Sequence, residues 1–367
     1  HPPLNYLAEA AVAHLYAFVT RSTDVTAVLE SARLVPCFAS CALLIVAWRI
    51  FTELDFNYAA KLLAIGLLAF QPTFFILSAS INNDMLMVFF LVAAFLYTVR
   101  WYRRPTFKNI ILLAVLSGCA MMTKLSGGLI AALSAGVFLA VFVRGVRSHA
   151  FGRLIGQFAA YAGIFLPLGL WYPIRNLVLF NQPIGYVLQV GQNTGMYTGG
   201  KSVLDRFFSF PVKELFNPVY CNPYGDFRLW IYTVKCSLFG EFTFPDDHRA
   251  VAAVLIVLNL LLIALTAAAI VYVLCHHRES LGIARWGFLG LIVLVLASFI
   301  AFNIKYPEGC TMDFRYIVPV LVGGAGFLGL FGGQLRARGG GPPRLFYCLT
   351  VFAVAAFGVF STIFFVM

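Results

Sequence analysis

Ten mostly apolar stretches, most of them of membrane-crossing length, constrain this chain more than any other feature. They lie at about 34–51, 58–77, 85–101, 109–123, 126–143, 154–173, 250–275, 285–303, 315–334 and 345–366. A helix that crosses the hydrocarbon layer needs roughly 20 predominantly apolar residues. Only helices and closed barrels satisfy their own backbone hydrogen bonds there. Charged residues make up 11% of the chain, less than half of the roughly one quarter found in soluble domains. Aromatics reach 16%, with 37 Phe, which suits lipid-facing and interfacial positions. These features exclude a soluble domain. The expected class is all-α, a polytopic transmembrane helical bundle of about ten spans.

The formal net charge of +11 raises the question of nucleic acid, and its distribution answers it. With the first span running from outside to inside, the inner connections hold Arg49 and Lys61; Arg100, Arg103, Arg104 and Lys108; Arg144, Arg147 and Arg153; Arg278 and Arg285; and Arg336, Arg338 and Arg344. That is 14 of the 26 basic residues against three acids, Glu53, Asp55 and Glu279, leaving twelve of each sign outside. The whole excess falls on one side, and the positive-inside rule makes that side cytoplasmic. The expected partner is therefore the lipid bilayer, and no nucleic acid.

Residues 1–33 read as an amphipathic helix on the outer membrane surface with a lead-in, because 4–20 is apolar on one face yet carries Glu9 and His14. Residues 34–173 hold the first six spans and 250–367 the last four. Between them, 174–249 is the one long extracytoplasmic loop, rich in Tyr, Phe, Pro, Asn and Gly. It is too aromatic for disorder, and loops of that length are usually functional. Short helices are expected within it.

The polar residues that invite chemistry gather at outer span ends. Asp84, in Ser80-Ile81-Asn82-Asn83-Asp84-Met85, stands where one span ends and the next begins. An acid at the edge of the hydrocarbon is costly unless it faces protein or water, which makes it a functional candidate. A helix cap explains the same spacing. Lys124, in Met122-Thr123-Lys124-Leu125-Ser126, is either a snorkelling lysine or a cation for a lipid phosphate. Arg175-Asn176 and Asp313-Phe314-Arg315-Tyr316 are each explained by interfacial anchoring, but their shared side and depth favour a joint role. His14, His149, His248, His276 and His277 lack metal spacing and read as surface residues. Cys37, Cys41, Cys119, Cys275 and Cys348 read as packing residues. Cys221, Cys236 and Cys310 fall outside, where a disulfide is permitted but sequence cannot pair it. No nucleotide-binding G-x-x-x-x-G-K-[ST] loop occurs, and Gly339-Gly340-Gly341 reads as a linker.

In order along the chain stand His1–Leu4 (His-Pro-Pro-Leu), Asn83-Asp84, Thr123-Lys124, Arg175-Asn176 with Asn181–Pro183, Ser237–Glu241 (Ser-Leu-Phe-Gly-Glu), and Arg315-Tyr316 with Pro319. Each motif is weak alone. Together, and on one face, they resemble the GT-C glycosyltransferases, specifically the bacterial relatives of the dolichyl-phosphate-mannose protein mannosyltransferases (glycosyltransferase family 39).

The resemblance implies a GT-C-type bundle that moves a sugar from a polyprenyl-phosphate donor to a protein, glycan or lipid acceptor on the extracytoplasmic side. It places the family's first acid, the expected general base, upstream of His-Pro-Pro-Leu. This sequence begins at His1, so the fragment is expected to lack that acid. Asp84 matches the second family acid and is the catalytic candidate. His1, Lys124, Arg175, Asn176, Asp313, Arg315 and Tyr316 are the implied substrate-binding residues. The donor carries its own activation, so no nucleotide or redox cofactor is required, although a divalent cation assists some relatives. Two other readings compete, a transporter or lipid flippase and a non-catalytic relative in envelope assembly. A transporter predicts polar or broken helices at mid-membrane.

Overall fold

The computed structural model describes residues 1–146, 151–276 and 282–367. Arg147, His149, His277, Arg278 and Glu279 lie outside the described residues, as do the side chains of Arg144 and His276. The chain is all-helical, and every predicted apolar run coincides with a helix. Among the described residues eight helices are long and apolar enough to cross a membrane, or nine if a bent pair counts as one span. The remaining predicted span, Phe107–Thr123, has 17 residues. At ~1.5 Å per residue it rises about 25 Å, short of the ~30 Å hydrocarbon layer. The protein is thus a multi-pass membrane protein.

The helices fall into two compact units. One comprises His1–Asp55 and Leu77–Val187; the other comprises Phe56–Ile76 and Leu188–Met367.

In the first unit, α1 (Leu4–Thr20) and α2 (Val25–Ser31) precede α3 (Leu34–Glu53), α6 (Asp84–Arg103), α7 (Phe107–Thr123), α8 (Leu129–Val146) and α9 (Phe151–Phe180). Helix α6 is the hub and packs against α3, α7 and α8. Helices α7 and α9 approach closely where Gly118 faces Leu168 and Gly169 faces Met121. A Cβ at either glycine would meet those side chains at 2.7 and 2.9 Å. Small residues at such crossings let two membrane helices pack backbone to backbone. At the other end of these helices, Arg100 bonds Glu53 at 2.7 Å and Arg103 bonds Asp55 at 2.5 Å. Two of the three acids assigned to the inner connections therefore sit on arginines of the same end.

Two sequence expectations change here. Helix α9 does not stop at 173; it continues to Phe180 with Pro167 and Pro173 inside it, so Arg175 and Asn176 lie on its last turns and not in a loop. Helix α1 buries Asn5 and Glu9 and exposes Leu7, Leu15, Phe18 and Val19. Its inward face is the polar one, and its apolar face is left for lipid.

In the second unit, α4 (Tyr58–Ala69) and α5 (Pro72–Ser78) form the bent pair, at 54°. Pro72 cannot continue the ladder of α4. Gln71 Nε2 and Thr73 Oγ1 at the break both donate to the Ser237 carbonyl, at 3.2 and 2.7 Å. Part of the Ser237–Glu241 motif therefore fixes a bend. Three short helices, α10 (Val203–Phe208), α11 (Lys213–Phe216) and α12 (Leu229–Phe239), occupy the long segment, as expected. The spans α13 (Arg249–His276), α14 (Gly282–Lys305), α15 (Val320–Arg338) and α16 (Gly341–Val366) complete the unit. Helix α15 packs on all three other spans and on α4. His248, expected at the surface, is buried: its ring lies 5.3 Å from Phe364 and 5.9 Å from Phe244. The aromatic cluster around it supplies apolar contact that spacing did not reveal.

Cysteine labelling tests the orientation drawn from the charge distribution. In a background without the accessible native cysteines, Arg103→Cys should resist an impermeant thiol reagent in intact cells, and Lys201→Cys should react. Labelling of Arg103→Cys under those conditions would reverse the assignment.

Candidate functional site

The first unit brings an acid and a base together from α6 and α7. Asp84 is the first residue of α6 and Lys124 is the residue that ends α7. The Lys124 backbone is extended, at φ −152° and ψ 137°. Its ammonium Nζ donates to Asp84 Oδ1 at 2.5 Å. The carboxylate side chain is 3% exposed and the ammonium side chain 14%.

Capping does not account for Asp84. The cap of α6 comes from Asn82, whose Oδ1 accepts from the backbone N–H of Asp84 at 2.9 Å and of Met85 at 3.3 Å. Its Nδ2 donates to the carbonyls of Leu77 and Ser80 at 2.6 and 2.7 Å. Asn82 thus closes the polar turn and leaves the Asp84 carboxylate available to Lys124.

Tyr6 of α1 lies within electrostatic reach of Asp84. Burial pushes its phenol up first, and then Glu9, Tyr172 and Asp84 add to the shift. Tyr172 in turn carries Arg175, whose guanidinium lies 6.0 Å from the Tyr172 ring centroid and 5.5 Å from that of Phe180. Arg175 also donates to Asn176 Oδ1 at 3.2 Å, so it acts as an exposed, stacked cation. Glu9 is buried, which pushes its carboxyl up, and the neighbouring Asn5 works against that shift. His1 is exposed. Asn82, Tyr6, Glu9 and Tyr172 were not assigned to a site from the sequence. The available signal was Asn5 with Glu9, a polar pair at i, i+4 on one face of an otherwise apolar helix.

Asp313, Arg315 and Tyr316 belong to the second unit. Asp313 is buried there; its Oδ1 accepts from the Arg315 N–H at 2.9 Å and from Cys236 Sγ at 3.0 Å. Arg315 Nε lies 3.2 Å from Asp313 Oδ2, and its guanidinium is 5.4 Å from the Tyr316 ring. Asp313 therefore shapes the 3₁₀ turn Phe314–Tyr316 as well as balancing the arginine. Glu308, unnoticed in the sequence, is also buried and accepts from Val190 N–H at 2.8 Å. It helps pin the segment around 190–198, together with Thr198 N–H to the Pro307 carbonyl at 2.8 Å and Gly309 N–H to the Met196 carbonyl at 2.7 Å. Burial pushes the Cys310 thiol up, and Glu308 and Glu241 add to it while Arg315 opposes.

All eight cysteines are free. Among the described residues no group of three or more His, Cys, Asp or Glu is arranged to hold a metal ion.

The Asp84–Lys124 pair generates a stability prediction. Removing one partner of a buried ion pair leaves a desolvated charge, at a cost of about 3–5 kcal/mol. Lys124→Met should therefore lower the thermal midpoint of the detergent-solubilised protein by several degrees, and adding Asp84→Asn should recover most of the loss. Equal midpoints for Lys124→Met and the unaltered protein would show that the pair carries no such coupling.

Comparison with known proteins bears on the same region. Residues 16–180 match the model of the family described as dolichyl-phosphate-mannose-protein mannosyltransferase. No characterised protein matches the chain by sequence. Among solved structures, apo ArnT from Cupriavidus metallidurans aligns over 91% of this chain and 68% of its own, at 12% identity and a TM-score of 0.37. That likeness is too distant to carry a conclusion. The resemblance to the dolichyl-phosphate-mannose-protein mannosyltransferases is thus shown over residues 16–180, the stretch that holds Asp84, Lys124, Arg175 and Asn176.

Proposed function

We propose that this chain is a membrane glycosyltransferase of GT-C type that transfers a sugar from a polyprenyl-phosphate donor to an acceptor on the extracytoplasmic side. The observation that carries the reading is the buried Asp84–Lys124 pair at adjoining helix ends, inside the stretch that matches the mannosyltransferase family. An ion pair at the membrane edge suits a lipid phosphate, which presents its charge at that depth while its tail stays in the bilayer.

The chemistry asks for these two groups. The acceptor hydroxyl attacks the anomeric carbon, the bond from that carbon to the phosphate oxygen breaks, and the electron pair leaves with the phosphate. Charge therefore develops on the phosphate, where a fixed cation stabilises it in a partly water-excluded site. Lys124 is that cation, and the exposed, aromatic-stacked Arg175 is a second one for the incoming headgroup. The proton of the acceptor hydroxyl goes to a carboxylate, a contribution of roughly 10²–10⁴-fold. The resemblance gives that general-base role to an acid upstream of His-Pro-Pro-Leu; Asp84, which matches the family's second acid, is the catalytic carboxylate found in this sequence. When the donor phosphate takes up the Lys124 ammonium, the Asp84 carboxylate is freed to act on the reacting groups. Asp313, Arg315 and Tyr316 of the second unit, and His1 at the start of α1, are assigned to substrate binding on the strength of the motif resemblance. The donor supplies its own activation, so the reaction needs no nucleotide or redox cofactor.

The transporter reading draws on one observation, the 54° break between Tyr58–Ala69 and Pro72–Ser78. The side chains of Gln71 and Thr73 at that break are engaged with the Ser237 carbonyl, which favours a structural bend over a substrate path.

Asp84→Asn separates catalysis from folding. Asn82 supplies the cap, and Asn is as good a cap as Asp in any case, so the stability the variant loses is that of leaving Lys124 unpaired, which the thermal midpoint reads separately. Transfer from polyprenyl-phosphate-linked sugar should fall by at least about 100-fold when assayed well below that midpoint on protein with an unchanged gel-filtration profile. Near-normal turnover would remove Asp84 from the reaction.

A further inference from the structure

A groove of about 610 Å³ runs along the second unit between α4, α15 and α16. Its walls are apolar over most of their length, from Leu62 and Leu63 on α4 to Val351 and Val354 on α16. Polarity returns at one end, where Arg336 of α15 and Tyr347 of α16 stand in the lining. Between Tyr347 and Ile363, the two ends of the lining on α16, the helix rises about 24 Å at ~1.5 Å per residue. That is long enough for an extended acyl chain.

The cationic end is built, and its charge is not spent within the protein. Arg336 lies in the last turn of α15 and forms no ion pair among the described residues. Arg338 stacks on Tyr272 at 5.4 Å, which holds it beside the same end of α15. The connection that follows turns through Gly339, Gly340 and Gly341, all at positive φ (58°, 64° and 49°), and returns the chain as α16 with Arg344 in its first turn. Arg336 thus stands at the mouth of an apolar channel of lipid-tail dimensions, with Arg338 and Arg344 close to it along the chain.

We infer that this groove is a binding site for an anionic diacyl phospholipid, with one acyl chain along α16 and the phosphate at Arg336. The tail alone does not discriminate between lipids, because apolar walls offer every acyl chain the same contact. The arginines do. Basic pockets between spans at the positively charged side of a membrane protein bind anionic headgroups, and each basic residue near the surface adds attraction for net negative charge. A zwitterionic headgroup brings the same phosphate with a compensating cation and gains less. Lipid held in this way seals the seam between α4 and α16. The site is distinct from the Asp84–Lys124 pair, and the inference does not rest on the glycosyltransferase reading.

Native mass spectrometry of the full chain, titrated with phosphatidylglycerol and with phosphatidylcholine, tests it. The unaltered protein should retain phosphatidylglycerol about fivefold or more over phosphatidylcholine. Arg336→Gln changes an exposed side chain, so it should fold and lose that preference. Ala355→Phe, which fills the groove wall, should lose retention of both lipids while leaving the first unit untouched. Equal retention of the two lipids by the unaltered protein, or an unchanged preference in Arg336→Gln, would overturn the site. So would unchanged retention in Ala355→Phe.

Discussion

An aspartate and a lysine at the edge of a hydrocarbon layer each need the other, and that requirement organises the first unit. Isolated, either charge is expensive at that depth. Paired at 2.5 Å with the carboxylate almost fully covered, they can be held there only if the start of α6 and the end of α7 stay in register. The helices are built to keep it. Asn82 closes the turn ahead of α6, and the glycine contacts at Gly118 and Gly169 set α7 tightly against α9. The same crossing places Tyr172 and Arg175, further along α9, at the end where the pair lies. Breaking the pair therefore leaves a buried charge where α6 begins and α7 ends.

This geometry gives a charged pair where α6 begins and α7 ends. A lipid-linked phosphosugar suits such a site because its own phosphate competes for the lysine. In the unliganded state Asp84 and Lys124 neutralise each other, and a dianionic leaving group would shift that balance. On the proposed reading, binding of the donor and release of the carboxylate become one event. The second unit solves a different problem. Asp313 and Glu308 are spent largely on shaping turns and pinning the segment near 190–198, which orders a loop that carries few long helices of its own.

The bundle was legible in the sequence because hydrophobic length is a one-dimensional property. All ten apolar runs became helical in whole or in large part. Periodicity and proline were less informative. The sixth apolar run was bounded at 173, yet α9 continues through Pro173 to Phe180, since the lost hydrogen bond of a proline is tolerated inside a membrane protein. His248 read as a surface residue because nothing local reveals the aromatic cluster of Phe244 and Phe364 that covers it. Helix α1 was expected as an amphipathic helix on the outer membrane surface, whereas its polar residues Asn5 and Glu9 are buried; in a membrane protein polarity can point inward. Asp84 and Lys124 stood out individually because charges are rare in such a chain. Their pairing spans 40 positions and could not be read from spacing.

The central claim is that Lys124 serves a lipid phosphate and is held in reserve by Asp84. The most direct measurement is the affinity of polyprenyl monophosphate for the full chain and for two variants. Lys124→Gln should weaken binding by at least about tenfold, as expected for loss of a charge-assisted contact. Asp84→Asn should bind the phosphate as tightly as the unaltered protein or more tightly, because the competing carboxylate is gone. If both substitutions leave the affinity unchanged, or if Asp84→Asn weakens it as much as Lys124→Gln does, the pair is a structural bridge and the account of the site is wrong.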